Sequence, residues 1–344
     1  MRVMVVRPGP RYSVADVHNG LVKGLRSLGA EVIDFKYDNL LELYGHVAIK
    51  RKGRWQPVFD EAGGAAMAGE HLQAAVLRAL PDVIVLMSCF WIPPEVLHVL
   101  RKRQPRLVAW FTESPYEDDK QLQVAAWCHA AVVNDPKNLA KFRSVCRAAD
   151  YIPHAYDPDV HRPGPGRQDW ACDVAFAGTG FPSRWEFLQA VDWSGVDLKL
   201  GGMWNCTEDS PFEANVVHPL DECIDNHDAV TLYHSAKASF NLYRQETTPG
   251  GEADGWAMGP REVELAATGT FFLRDSRPEG DEVFPMLPTF SGPEDFGEKL
   301  RWWLAHDRQR TNAALAARTA IADRTFANSA RRLLSLVEST PIAA

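Results

Sequence analysis

The sequence predicts an α/β protein built from two Rossmann-like domains, and three observations carry that prediction. Residues 2–6 and 31–35 read as short strands, and the stretch between them, 15–28, has apolar side chains at helical spacing and stops at Gly29. Strand, helix and strand at this spacing form a βαβ unit, which implies a parallel sheet. Regularity then lapses over 157–168, where Pro158, Pro163, Gly164, Pro165 and Gly166 accumulate as they do in linkers. The same pattern restarts directly afterwards, with an apolar strand at 172–176, a glycine loop and a helix from 183 to 191.

The elements follow in order. Residues 37–65 are less regular and hold the basic cluster Lys50-Arg51-Lys52, which suits a lid, an excursion toward a ligand or a plain surface insertion. Residues 69–80 read as a helix and 82–87 as a strand that ends before Pro93 and Pro94, which open the next helix. Residues 106–110 form a strand running into Thr112-Glu113-Ser114-Pro115, so Glu113 stands at a strand's C-terminal end, where parallel sheets bind ligands. A short strand at 130–133 precedes a helix and Tyr151-Ile-Pro-His154. In the second half, 196–200 reads as a strand, 231–236 as a short helix carrying Tyr233 and Lys237 on one face, and 239–242 as a strand. Residues 245–255 are a loop rich in Gly and Thr, suited to closing over a ligand. Three helices close the chain, at 295–305, 308–322 and 327–337.

Composition bounds the function. At 344 residues with 46% hydrophobic side chains, the chain can bury two ordinary cores. No apolar run reaches the length of a membrane span, and the first residues enter a strand without a signal-peptide pattern, which reads as a soluble cytoplasmic protein. Six scattered cysteines without a C-x-x-C pair suit free thiols, and the His and Cys spacings of 218–234 match no zinc template. Asp157-Pro-Asp159 reads as turn chemistry rather than a metal site. The net charge of −8 is uneven: residues 1–155 hold 20 basic against 16 acidic side chains, and residues 156–344 hold 17 against 29. Basic clusters in the first half attract anions or are simply solvated, and the acidic whole lacks the broad positive footprint of a strong non-specific DNA binder.

The most informative stretch is Gly259-Pro-Arg-Glu-Val-Glu-Leu-Ala-Ala-Thr-Gly-Thr-Phe-Phe-Leu273. Pro260 opens a helix and Gly269 ends it, so the first helical turn should lie at the mouth of a strand layer. Arg261 and Glu264 share one face of that helix. Together they read either as a surface ion pair or as a cation and a carboxylate presented to a nucleotide, the carboxylate accepting from a ribose diol. Upstream, Gly178-Thr-Gly180 between strand and helix lets backbone approach a diphosphate, with Arg184 in the first helical turn. The missing third glycine argues against a dinucleotide-dependent dehydrogenase.

The pattern from Arg261 to Leu273 resembles the donor-site signature of GT-B glycosyltransferases, specifically the CgeB-like group. Trp110-Phe-Thr-Glu-Ser-Pro115, Tyr151-Ile-Pro-His-Ala-Tyr-Asp-Pro158, Asp173-Val-Ala-Phe-Ala-Gly-Thr-Gly180 and Tyr233-His-Ser-Ala-Lys-Ala-Ser-Phe-Asn-Leu242 fall in the same order, so the resemblance covers roughly 80–335. It implies two Rossmann-like domains facing each other across a cleft: an acceptor-side domain at 1–160, a donor domain at 161–325 and a last helix at 326–344 returning to the first domain. It also implies transfer from a nucleoside-diphosphate sugar, of UDP or GDP type, with no permanent cofactor and no metal. Gly178, Gly180, Arg184, Tyr233, Lys237, Arg261 and Glu264 would bind the donor. Glu113 or His154 would serve as base if the reaction inverts. Lys50, Arg51, Lys52 and Trp110 would lie on the acceptor side, and an anionic acceptor, modified DNA included, fits alongside protein, glycan or lipid-linked ones. The glutamate pair of many retaining members is incomplete, because Trp256 stands at the upstream position and Glu252 is the nearest substitute. An epimerase or hydrolase of the same shape, or a non-catalytic binding protein, are the competing readings.

Overall fold

The computed structural model describes residues 1–8, 14–52, 54–102, 106–204, 212–219 and 222–340. Arg103, Cys206 and the side chain of Arg51 lie outside the described residues. The chain divides into two compact units, the first made of 1–153, 248–252 and the segment from Phe326 onward, the second of 154–247 and 253–325.

In the first unit β1 (Arg2–Val6), α1 (Ala15–Ser27) and β2 (Glu31–Phe35) form the opening βαβ. The stretch expected to be irregular is ordered: α2 (Tyr37–His46), a two-stranded hairpin of β3 (Ala48–Arg51) and β4 (Arg54–Pro57), and α3 (Glu61–Ala79). α3 starts eight residues earlier than its apolar spacing suggests because Asp60 caps it, Oδ1 accepting the Gly63 N–H at 2.8 Å. There follow β5 (Val83–Met87), α4 (Pro94–Lys102), β6 (Arg106–Trp110), α5 (Asp118–Ala125), β7 (Ala130–Val133), α6 (Leu139–Val145) and β8 (Ala148–Tyr151). The six strands run β2-β1-β5-β6-β7-β8, every pair parallel. The inner strands β5 and β7 are buried at every residue, as parallel strands covered on both faces must be. The sheet buries two separate apolar cores in the first unit, and Trp110 belongs to one of them, packed among Val3, Val85 and Val132 and 4% exposed. That corrects its expected place on the acceptor side: on a strand with helices over both faces, a large ring has nowhere to point but into a core.

The second unit holds β9 (Cys172–Ala177), α7 (Pro182–Ala190), β10 (Leu198–Gly201), α8 (Asn226–Ser235), β11 (Ala236–Asn241), α9 (Pro260–Thr268), β12 (Phe272–Asp275), α10 (Pro278–Val283), β13 (Thr289–Phe290), α11 (Pro293–Leu304) and α12 (Asp307–Ala320). Its strands run β10-β9-β11-β12-β13, again all parallel, over an aromatic-rich core of Phe176, Trp204, Phe240, Phe272 and Phe296. The final helix, α13 (Phe326–Ser339), packs on α1 in the first unit. Gly20 and Gly24 make room for it: a Cβ at Gly24 would stand 2.5 Å from the Phe326 carbonyl oxygen.

Candidate functional site

In each sheet the order reverses once, between β1 and β5 in the first unit and between β9 and β11 in the second. Loops leave such a point in opposite directions, and a crevice opens outside the strands' carboxyl ends. In the second unit Arg261 stands at that point. Its Nε donates to the carbonyl of Ala177, at the end of β9, and Nη1 donates to Asn241 Oδ1, at the end of β11, 3.0 Å away. The guanidinium lies 4.4 Å from the centroid of the Phe176 ring. Gly178 is glycine because of this arginine, since a Cβ there would lie 2.2 Å from Nη2.

Arg261 and Glu264 do not pair with each other. Among the described residues neither makes an ion pair, and Glu264, half-buried one turn further along α9, makes no hydrogen bond. A cation and a carboxylate are therefore both held uncompensated on the first turns of a helix whose N-terminus itself favours anions. α9 is firmly placed, with Pro260 at its first position and Gly269 in the left-handed conformation (φ 78°) at its end.

The other residues expected at the donor separate into three groups. Tyr233 is brought close to Arg261 and Glu264, but it is buried, and burial pushes its phenol well above the ordinary range, so it packs rather than stacks on a base. Gly178 and Gly180 form a packing loop: their N–H groups donate to Gly201 O and Met203 O at 2.8 Å each, so neither amide is open to a diphosphate. Arg184 is buried and braces the same loop, donating from Nε to Leu242 O (3.0 Å) and from Nη1 to Thr179 O (2.9 Å). The start of α7, expected to face a phosphate, already has an anion, because the Glu246 carboxylate accepts from Ser183 N (2.8 Å) and Oγ (2.9 Å). Lys237 is elsewhere. α8 stops at Ser235, so Lys237 sits on β11 rather than on a helix face with Tyr233, near the strand's amino end, where Nζ pairs with Asp173 at 2.8 Å.

Beneath α9 lies a buried ionic layer that pattern reading did not single out. Glu262 is fully buried, and its Oε2 accepts from the Tyr243 hydroxyl and from Gly259 N (2.9 Å). Burial lifts this carboxyl to about 7, partly opposed by those bonds and by Arg274 and Arg277. Arg277 lies 3.7 Å over the Tyr243 ring and donates to the carbonyls of Ala257 and Ala253 at 3.0 Å. Glu279 takes the Met258 N–H (2.8 Å) and pairs with Arg324 (2.7 Å). This layer fixes the chain entering α9. The only sequence signal for it is Glu262 three residues after Gly259, a helix-start spacing. His154 faces the layer, and burial, with Arg324 and Arg277, lowers its pKa to about 4. At neutral pH it is an uncharged imidazole, suited to hydrogen bonding and a weak proton acceptor.

Glu113 lies half-buried in the first unit, in the loop leaving β6. That loop is tightly held. Ser114 N donates to Asn134 Oδ1 (3.1 Å), Ser114 Oγ to Asp118 Oδ1 (2.7 Å), and Gln121 Oε1 accepts from Glu113 N (3.2 Å). Lys50 and Lys52 are exposed on and beside the β3–β4 hairpin. Glu252 pairs with Lys137 (2.9 Å) and Lys141 (3.4 Å), contacts internal to the first unit. Asp157 and Asp159 form a local turn, with Asp157 Oδ1 accepting from Asp159 N at 2.9 Å. Among the described residues no cluster of His, Cys, Asp or Glu is arranged to hold a metal ion, and no helix is long and apolar enough to cross a membrane.

A family model described as "glycosyl transferase-like" matches residues 184–335. No curated protein matches the chain. Solved structures do. Sucrose-phosphate synthase from Thermosynechococcus elongatus shares 13% identity with a TM-score of 0.66, covering 99% of this chain and 100% of its own. HepE from Anabaena, in complex with UDP and glucose, shares 14% with a TM-score of 0.64 and the same coverage. An α-glucosyltransferase in complex with UDP and a 13-mer DNA shares 10% with a TM-score of 0.65, covering 98% and 100%. At such identities the likeness concerns the fold, and the fold is that of GT-B glycosyltransferases: two Rossmann-like α/β domains.

Proposed function

We propose that the protein is a glycosyltransferase that takes its sugar from a nucleoside-diphosphate sugar, bound at the carboxyl ends of β9 and β11 against the start of α9. One observation carries the reading: Arg261 and Glu264, three residues apart at the point where strand order reverses, are both without an ion pair among the described residues. Glu264 would accept from the two ribose hydroxyls, and Arg261 with the α9 N-terminus would balance the diphosphate. Departure of the diphosphate raises negative charge there, and donors already fixed by Ala177, Asn241 and Phe176 need no reorganisation to meet it. UDP-type donors are favoured because the structurally similar HepE and the α-glucosyltransferase in complex with UDP and DNA both carry UDP. The order of motifs along the chain supports the CgeB-like group within this fold. The chemistry assigned to these residues requires no metal. The exposed Lys50 and Lys52 support an acceptor with some anionic character.

A thermal-shift series with UDP, GDP, ADP, CDP and TDP and their common sugars, with and without magnesium, tests the reading. A selective rise in Tm with one nucleotide is the expected outcome. Glu264→Ala should weaken that nucleotide by about 1–3 kcal/mol in calorimetric titration. No shift with any nucleotide would remove the donor reading.

A further inference from the structure

The first unit has its own cavity, of about 350 Å³, between α2, the start of α3 and the loop leaving β5. Leu41, Phe59, Asp60, Glu61, Ala65 and Trp91 line it. We infer that this cavity holds a pyranose ring of the acceptor, neutral or amino-substituted rather than acidic; the inference rests on the glycosyltransferase reading for the word acceptor, and on the cavity alone for the sugar.

The cavity lies where a parallel sheet binds ligands. The loop that brings Trp91 departs beside the end of β1, where strand order reverses: the Cys89 thiol donates to the carbonyls of Val6 and Arg7, 3.6 Å from each. Ser88 and Cys89, both in the left-handed region at φ 57° and 41°, turn the chain there, a strained conformation that the surrounding contacts must hold. The buried Tyr37 hydroxyl ties the two walls, lying 3.3 Å from Ala65 O and 3.2 Å from Trp91 O. The cavity is thus built by fixed backbone.

Its lining matches a sugar ring. Phe59 and Leu41 supply apolar surface, and Trp91 keeps 41% of its own surface open at the rim. A pyranose has one face of C–H groups, which suits the negative face of an aromatic ring, and an edge of hydroxyls that need acceptors. Asp60 and Glu61 supply those acceptors; Asp60 spends Oδ1 on the Gly63 N–H and keeps its other oxygen. Two carboxylates with no lining cation disfavour phosphate or uronate in the cavity itself. Lys50 and Lys52 are not among its lining residues and act on whatever extends beyond it.

Saturation-transfer NMR with methyl glucoside, methyl glucosaminide and methyl glucuronide, on the native protein and on Trp91→Ala, Trp91→Phe and Asp60→Asn, tests this. Asparagine still caps α3, so the last variant keeps its fold. The glucoside and glucosaminide should bind and the glucuronide should not; Trp91→Ala should weaken binding at least about fivefold and Trp91→Phe should recover most of it. UDP-induced thermal shift should be the same in all four proteins. Absence of glycoside signal, equal binding of the glucuronide, or indifference to Trp91→Ala would overturn the inference. Glycoside binding without any nucleotide shift would instead remove the donor reading and leave the sugar site standing.

Discussion

Glu262 and Glu264 sit two residues apart on α9 and have opposite fates, because a helix turns about 100° per residue and one points inward. Glu264 is half-buried and without an ion pair among the described residues; Glu262 is sealed against Tyr243. The buried carboxyl holds its proton up to about 7, so the folded state binds more protons than the unfolded chain between roughly pH 4.5 and 7, and this group makes stability fall as pH rises through that window. His154 works the other way. Its folded pKa of about 4 lies below the unfolded value near 6.5, so its contribution is present above pH 6.5 and is lost as pH falls toward 4. Each is worth up to about 3 kcal/mol by linkage, and they oppose each other between pH 4.5 and 6.5. Glu262→Gln should therefore lose Tm more steeply than the native protein as pH falls from 6.5 to 4.5, and a parallel pair of Tm curves would count against the buried proton.

At the scale of elements, glycines decide which helices and loops come together. Gly24 lets α13 lie on α1, and because the obstacle to a Cβ is the Phe326 carbonyl rather than a movable side chain, Gly24→Ala should destabilise by about 1–3 kcal/mol in chemical denaturation. Gly178→Ala meets the end of a side chain rather than backbone, so it should fold with a smaller loss than Gly24→Ala, but only by pushing the Arg261 guanidinium off its bonds to Ala177 and Asn241. Its cost should appear instead as weaker nucleotide binding, read in the same titration used for Glu264. A Gly178→Ala variant that binds nucleotide normally would show that Arg261 is not needed where it stands.

For the whole molecule, neither unit is one continuous stretch of chain. The first is completed by residues 248–252 and by α13, whose Ala330, Leu333 and Val337 are buried with Leu21, Leu25 and Val3. A chain ended after Thr325 would uncover that core face. At about 1.5–3 kcal/mol for each fully buried large aliphatic side chain, the loss approaches the entire stability of an ordinary domain. Limited proteolysis should find β1 and α1 cut in the truncated protein and protected in the native one.

Most strands of the two sheets, the parallel class, the restart near residue 172 and the helix from Pro260 to Gly269 were legible in the sequence, because apolar period, proline and glycine act locally; the β3–β4 hairpin and the short edge strands β8 and β13 were not. So was the placing of Arg261 and Glu264 together on the first turns of α9, though not that they leave each other unpaired. Local pattern could not tell that Gly178 and Gly180 serve packing, that Glu246 fills the start of α7, or that Trp110 turns into a core, since each depends on a partner brought in from elsewhere in the chain: Arg261 to Gly178, Ser183 to Glu246, Val3 to Trp110. Lys237 shows the limit most plainly. A four-residue spacing puts it beside Tyr233 only if the helix continues, and the helix ends at Ser235 because the next residues pair with β9. Sequence by itself determined the parallel frame and the punctuated helix α9; tertiary structure alone decided which charges are compensated inside the fold and which are not, because compensation is a property of neighbours in space.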